Sequence, residues 1–362
     1  MKIGIVTPFD NRNLGNRLQN YALQQVLRNY ADTVITIRNK PALPSLMDRL
    51  RRSSPLAESV WVNRLLGEKR KARLLQFNRA YLLMSRKCYW YNRPLTSLAP
   101  EDRCDWYCAG SDQVWNPDLE RSGMFSYLGF APQEQTFSYA ASFGLEQIPP
   151  EYWRAVEWGL RYIRHLSLRE AAGKKIVSDI TGRTDAEILP DPTLLLTPEQ
   201  WDLVAHQPEA QLPKRYLLAY FLGRVSPSRR EMLLRLAEEQ SLTLIDLMDP
   251  NSPFYAAGPG EFLYLIRHAA LVCTDSFHGS VFSFLYQRPL LIFDREGEGE
   301  TMGSRLDTLT ETYGLQDCRV RDGCLPPIQV TADYSLGYAR LQEERTRARN
   351  YLDRILQPEV QQ

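Results

Sequence analysis

The chain has 362 residues, enough for about two domains at roughly 150 residues each. Hydrophobic residues make up 44% and charged residues 24%, which excludes a disordered, collagenous or coiled-coil chain as a whole. The 44 Lys and Arg nearly cancel the 43 Asp and Glu, for a net charge of +1. That excludes a dedicated nucleic-acid binder, which needs a large basic excess, and leaves small anionic substrates open.

The first apolar run is too short for a signal-peptide core, and no stretch approaches the roughly 18–20 apolar residues of a membrane span. A cytoplasmic protein is expected. Six cysteines in a chain this long do not make a disulfide scaffold. Cys104 and Cys108 form the one close pair, with no second pair at zinc spacing, so buried thiols are expected and no metal.

In chain order, residues 3–7 form an apolar run bounded by Pro8, which predicts a buried parallel strand. The polar loop 9–16 follows. Leu18, Tyr21, Ala22, Val26 and Leu27 then recur at helical spacing, and 34–37 is the next strand. Strand, loop, helix and strand make a βαβ unit. Residues 49–93 hold twelve Lys or Arg and two Glu, with leucines and aromatics among them. Helices inserted at about 41–93 with a basic exposed face are expected. Such a face is either simply solvated or a patch for an anionic membrane or a lipid-linked diphosphate.

Strands are predicted at 106–109, 136–140, 165–170 and 187–190, with a helix over 151–164. Prolines cluster at 198, 208 and 213 and mark a break. Beyond it, strands at 216–221, 242–246, 271–275 and 290–293 alternate with helices at 229–239, 260–270 and 279–287. A charged amphipathic helix over 337–357 ends the pattern. The expected fold is α/β: two Rossmann-like domains facing across a cleft, over 1–195 and 196–335, with the final segment 336–362 packing its helix back on the first.

In such sheets ligands bind beyond the carboxyl ends of the strands. Asn11, Asp112, Arg169, Asp191 and His278 all fall at such ends. The sharpest local feature is Thr-Asp-Ser-Phe-His-Gly-Ser (274–280), between a strand and a helix. A helix N-terminus presents N–H groups to an anion; Gly279 permits close approach and Ser280 adds a hydroxyl. His278 beside it suits proton transfer near neutral pH. Arg169 offers a two-pronged grip on a carboxylate or phosphate, or an ion pair with Glu170 or Asp191. Arg305, at an expected helix start, can reach an anion across the cleft. Asn11 and Asn16 lie in a loop suited to phosphate or sugar hydroxyls. Asp112 is a candidate base or hydroxyl binder, and Trp115 offers a flat face to a sugar. Walker, Gly-x-Ser-x-Gly and His-Glu-x-x-His patterns are missing, so nucleotide P-loop, serine-hydrolase and zinc chemistry are disfavoured.

Six motifs in order, Asn-Leu-Gly-Asn-Arg-Leu-Gln-Asn-Tyr-Ala-Leu (13–23), Gly-Ser-Asp-Gln-Val-Trp-Asn (110–116), Tyr-Ala-Ala-Ser-Phe-Gly (139–144), Ser-Leu-Arg-Glu (167–170), Asp-Pro-Thr-Leu-Leu-Leu (191–196) and the 274–280 segment, resemble the polysaccharide pyruvyl transferase family. The resemblance implies a GT-B-like fold and transfer of pyruvate from phosphoenolpyruvate to a sugar hydroxyl pair as a cyclic ketal, in bacterial polysaccharide or capsule synthesis. It puts the family's arginine on Arg169 and its histidine on His278. Well-known members read Arg-Leu-His-Gly where this chain has Ser276-Phe277-His278-Gly279, and Arg305 is the residue that can replace the lost arginine. The donor site implied is Arg169, Ser276, Gly279, Ser280 and Arg305; His278 and Asp112 are the catalytic pair, and Asn11, Asn16, Trp115 and Asp191 face the acceptor. No cofactor is implied beyond the donor substrate. The implied partner is a lipid-diphosphate-linked saccharide, reached by peripheral contact with the membrane. The alternatives are a nucleotide-sugar glycosyltransferase of the same architecture and a non-catalytic glycan- or lipid-saccharide-binding protein.

Overall fold

The computed structural model describes residues 1–8, 13–40, 59–91, 93, 95–117, 123–296, 303–321 and 333–357. The first sheet is built from β1 (Lys2–Val6), β2 (Thr33–Lys40), β3 (Met84–Trp90), β4 (Trp106–Ala109) and β5 (Thr136–Ser138), in the order β3-β2-β1-β4-β5. Every pairing in it is parallel. Its centre is apolar on both faces, as a sheet covered on both sides requires: Ile3, Ile5, Cys108 and Phe137 are buried on one face, and Val6, Ile37, Tyr107 and Ala109 on the other. Beyond β5, Ser138 N–H donates to the His165 carbonyl (2.9 Å) and Arg169 N–H to the Ala141 carbonyl (3.0 Å). These bonds lay β6 (Ser167–Leu168) alongside, and β7 (Glu187–Ile188) pairs with β6 in parallel.

The helices between these strands are α1 (Leu14–Leu27), α2 (Ser59–Tyr81), α3 (Trp153–Tyr162) and α4 (Ala171–Thr181). Asn13 caps α1, its side chain accepting from Asn16 N–H at 3.2 Å. Gly182 ends α4 at φ +71°, the left-handed conformation that a side chain would disfavour.

The second sheet has β8 (Tyr216–Tyr220), β9 (Thr243–Asp246), β10 (Leu271–Thr274) and β11 (Leu290–Ile292) in the order β11-β10-β8-β9, again parallel. With it come α5 (Pro198–Asp202), α6 (Pro227–Glu239), α7 (Pro259–His268), α8 (Phe277–Leu285) and α9 (Gly303–Tyr313). Among the described residues, no strand pairing joins the two sheets. α10 (Ser335–Leu356) starts on the second half, where Tyr334 Oη donates to the Arg288 carbonyl (2.8 Å). It ends on the first, with Ala348, Tyr351, Leu352 and Ile355 packed among Ile3, Ile5, Phe137 and Tyr139. Tyr351 Oη donates to the Ser138 carbonyl there (2.9 Å).

Two sequence expectations need correction in the basic insertion. Residues 84–90 are not helical: β3 pairs with β2. Its Arg86 and Lys87 are exposed, as an edge strand allows, and that charge hid it. Nor are the basic residues of α2 all solvated. Arg70 is 5% exposed, its guanidinium 5.5 Å from the Tyr255 ring centroid. Arg73 pairs with Glu261 (2.7 Å) and Glu209 (3.0 Å). Both dock α2 on the second half instead of presenting charge to a surface. Among the described residues, no helix is long and apolar enough to cross a membrane.

Candidate active site

Strand ends of the first sheet and helix starts of the second half meet in one buried cluster. The turn after β4 supplies Asp112, the ends of β6 and β7 supply Arg169, Glu170 and Asp191, and α1 supplies Asn16. Across from them stand His278 in the first turn of α8 and Arg305 in the first turn of α9. All seven side chains are at least nine-tenths buried.

Asp112 sits at φ +67°, a left-handed conformation that costs a non-glycine residue of order 1–3 kcal/mol. Its carbonyl holds the turn by accepting from Val114 N–H (2.7 Å) and Ser142 N–H (3.1 Å). The carboxylate thereby points at two cations, with Oδ1 3.8 Å from Arg169 Nη2 and 4.0 Å from Arg305 Nη1. Asn16 Nδ2 donates to its other oxygen at 2.9 Å. Burial pushes the Asp112 carboxyl up, but Arg169, His278, Arg305 and Asn16 outweigh it and hold it below its ordinary value.

Arg169 donates from Nη1 to Asp191 Oδ2 at 2.6 Å, and its guanidinium lies 4.5 Å from the Phe277 ring centroid. Its Nε and Nη2 are buried without a hydrogen-bond acceptor among the described residues. With the Gln113 amide turned to satisfy its neighbours, its oxygen accepts from Arg305 at 2.8 and 3.2 Å. Burial and the neighbouring Arg169 pull the Arg305 pKa down to about 10. The pair forms a two-arginine wall with donors to spare. A narrow cavity opens beside it, lined by Arg169, Asp191, Phe277, Arg305 and Leu309.

His278 is 5% exposed. Its Nε2 is buried with no hydrogen-bond partner among the described residues, and Asp191 Oδ2 lies 3.8 Å away. Burial, with Arg169 and Arg305, lowers its pKa against the pull of Asp191 and Asp112, which favours the neutral imidazole. The ring packs on the backbone of α1: a Cβ at Gly15 would stand 2.2 Å from His278 Nδ1. Glu170 is fully buried, and burial outweighs Arg169 and Arg305 to raise its pKa.

The structure brings together Asp112, Asn16, Arg169, Arg305 and His278. It gives five others different partners. Trp115 offers no face to a sugar: it is fully buried, stacked on Tyr127 (5.4 Å, 14°) and packed against Phe143, with Nε1–H donating to the Ser126 carbonyl. Asp191 does not face an acceptor. Its oxygens accept from Thr193 N–H (3.0 Å), Thr193 Oγ1 (2.7 Å), Ser111 Oγ (3.0 Å) and Arg169 (2.6 Å), which makes it the anchor of Arg169. Ser276 is the N-cap of α8, accepting from Gly279 N–H at 3.3 Å. Ser280 N–H and Oγ both donate to the Ser276 carbonyl (3.0 and 3.1 Å), so Gly279 and Ser280 are bound into the helix cap. Gly279 is glycine because a Cβ would meet Thr274 Oγ1 at 2.6 Å. Asn11 lies outside the described residues. Sequence reasoning missed Gln113, Phe277 and Gly15, and treated Glu170 only as an ion-pair partner; position within the motifs was the one available signal. Among the described residues, no group of three or more His, Cys, Asp or Glu is placed to hold a metal ion.

Two parallel α/β halves close on one buried cluster of charged side chains, an α/β arrangement of GT-B-like fold. The chain belongs to the polysaccharide pyruvyl transferase family, whose model matches residues 13–297. No curated protein sequence matches it. Among solved structures it is similar to the UDP-GlcNAc 2-epimerase from Methanocaldococcus jannaschii (13% identity, 97% of this chain and 100% of that one, TM-score 0.46). It is similar also to the UDP-GlcNAc 2-epimerase from Neisseria meningitidis bound to UDP-GlcNAc (9%, 99% and 93%, TM-score 0.43). A third is the E. coli heptosyltransferase WaaC with ADP (10%, 95% and 100%, TM-score 0.38).

Proposed function

We propose that this chain transfers the pyruvyl group of phosphoenolpyruvate to a pair of saccharide hydroxyls as a cyclic ketal, in the building of a bacterial polysaccharide. The observation that carries the reading is the pair of buried arginines, Arg169 and Arg305, facing the one carboxylate of Asp112 from opposite halves. A small donor with a carboxylate and a phosphate at its two ends matches two such cations. The donor's anionic groups take the place of Asp112 against the guanidinium groups, and Asp112 with Asn16 is then free to hold an acceptor hydroxyl. His278, neutral and with Nε2 unpaired, accepts the proton of the attacking hydroxyl. The acceptor is a saccharide carried on a lipid diphosphate, which would bring the enzyme to the inner face of the cytoplasmic membrane.

A nucleotide-sugar donor would call for N–H groups at the crossing point of the second sheet, between β8 and β10. There Asp275 already accepts from Leu222 N–H (2.7 Å) and Gly223 N–H (2.8 Å) and fills that corner with a carboxylate. The test is incubation of the protein with aryl galactosides, glucosides and mannosides and either phosphoenolpyruvate or a panel of nucleotide sugars, followed by mass spectrometry. Phosphoenolpyruvate-dependent gain of a pyruvate ketal with phosphate release supports the proposal. Gain of a hexose from a nucleotide sugar, or no product from any donor, overturns it.

A further inference from the structure

Glu170 is a titratable group inside the site for which the reading above has no use. It lies where a structural carboxylate would not be left. Its side chain is fully buried at the end of β6, one residue beyond Arg169. One oxygen accepts from Phe143 N–H at 3.3 Å, and the nearby Ser142 hydroxyl favours the charged carboxylate. The other has no hydrogen-bond partner among the described residues; Arg169 Nε is 3.9 Å away. Asp191 takes the Arg169 pairing at 2.6 Å, so Glu170 is not needed to neutralise it. The charged groups that act on Glu170 are Arg169 and Arg305.

We infer that Glu170 is the acid that delivers a proton to the methylene carbon of the donor, with His278 as the base that opens the reaction. The inference rests on the pyruvyl-transfer reading. If Arg169 grips the donor carboxylate, the neighbouring side chain is beside the enol carbons. Burial raises the Glu170 pKa and lowers that of His278, two groups pushed in opposite directions by one site.

The step balances. The electron pair of the C2–C3 double bond takes the Glu170 proton at C3, giving the methyl group. The first sugar oxygen bonds to C2 and its proton passes to His278 Nε2. The bond from C2 to the phosphate oxygen breaks, its electron pair leaving with the phosphate, which takes the proton from His278. The second sugar oxygen closes the ring on C2, and its proton returns to Glu170. Both residues end as they began.

Glu170→Gln keeps the shape and can still accept from Phe143 N–H, but has no proton to give. Turnover should fall roughly 10²- to 10⁴-fold. Phosphoenolpyruvate affinity by calorimetry should stay within a few-fold, and the high-pH fall in kcat should disappear from the residual activity. Glu170→Asp, a shorter acid, should keep part of the turnover and that same limb of the pH profile. Should the glutamine variant not fold, the aspartate variant carries the test: an unchanged turnover and pH profile there overturns the inference. So does near-normal turnover in the glutamine variant while wild type makes ketal, and that result leaves the pyruvyl-transfer reading intact. A wild type that neither binds nor consumes phosphoenolpyruvate overturns both.

Discussion

Asp191 shows how much of the site rests on one buried carboxylate. Burial alone would raise its pKa, yet Arg169, His278 and two bonds from Thr193 bring it down to about 2. A carboxyl held below its unfolded value contributes stability above that unfolded value, and the contribution is lost as the pH falls through the folded one. The window here runs from about pH 4 down to about pH 2, and the contribution is on the order of 2 kcal/mol. Urea titrations should show that fall in wild type and a much flatter one in Asp191→Asn. That variant should also lose donor affinity, because Arg169 loses its anchor. Retained affinity would mean that Arg169 is held by something else. Gly15 is the second residue on which geometry is strict. Gly15→Ala should improve the intrinsic helix propensity of α1 by about 1 kcal/mol. Its Cβ would nevertheless press on His278, at 2.2 Å from Nδ1. The expected outcome is a large drop in kcat with a melting temperature that changes little; full activity would show that the ring does not need that position.

Among the elements, α2 departs most from what its sequence suggests. A helix dense in lysine and arginine reads as a solvated or lipid-facing surface, and Lys69 and Lys71 are indeed exposed. Its partners, however, lie far along the chain: Tyr255 for Arg70, Glu209 and Glu261 for Arg73. No local pattern reveals an ion pair with a residue nearly 190 positions away. Arg73→Glu should therefore lower the melting temperature by roughly 2–8 °C, whereas Lys71→Glu should be silent. A stable Arg73→Glu protein that loses turnover only on lipid-linked acceptors would restore the membrane reading. The parallel strands β1, β4, β8 and β10 were legible because strands buried on both faces read as unbroken apolar runs. β3 was hidden by the charges that an edge position tolerates. Trp115 misled for a related reason: the sequence gives a flat ring in a polar turn but not the Tyr127 and Phe143 that cover it.

For the whole molecule, the central feature is that neither half contains the site. Strand ends of one sheet bring Asp112, Arg169 and Glu170; the second half brings His278 and Arg305. The sequence placed Arg169 and His278 at an edge and a helix start, since α/β topology sends polar residues to the carboxyl ends of strands. It could not show that Gly279 N–H and the Ser276 hydroxyl would bond to each other in the cap of α8. Calorimetric titration of phosphoenolpyruvate into wild type, Arg169→Lys, Arg305→Lys and the double variant tests the sharing of the site most directly. Lysine keeps the charge and loses the two-pronged geometry. Each single variant should weaken binding by about tenfold or more, and the double variant should lose less than the product of the two, because two groups that grip one small molecule are coupled. Loss in only one of the two arginine variants, or fully independent effects, would contradict a single donor site shared by the two halves.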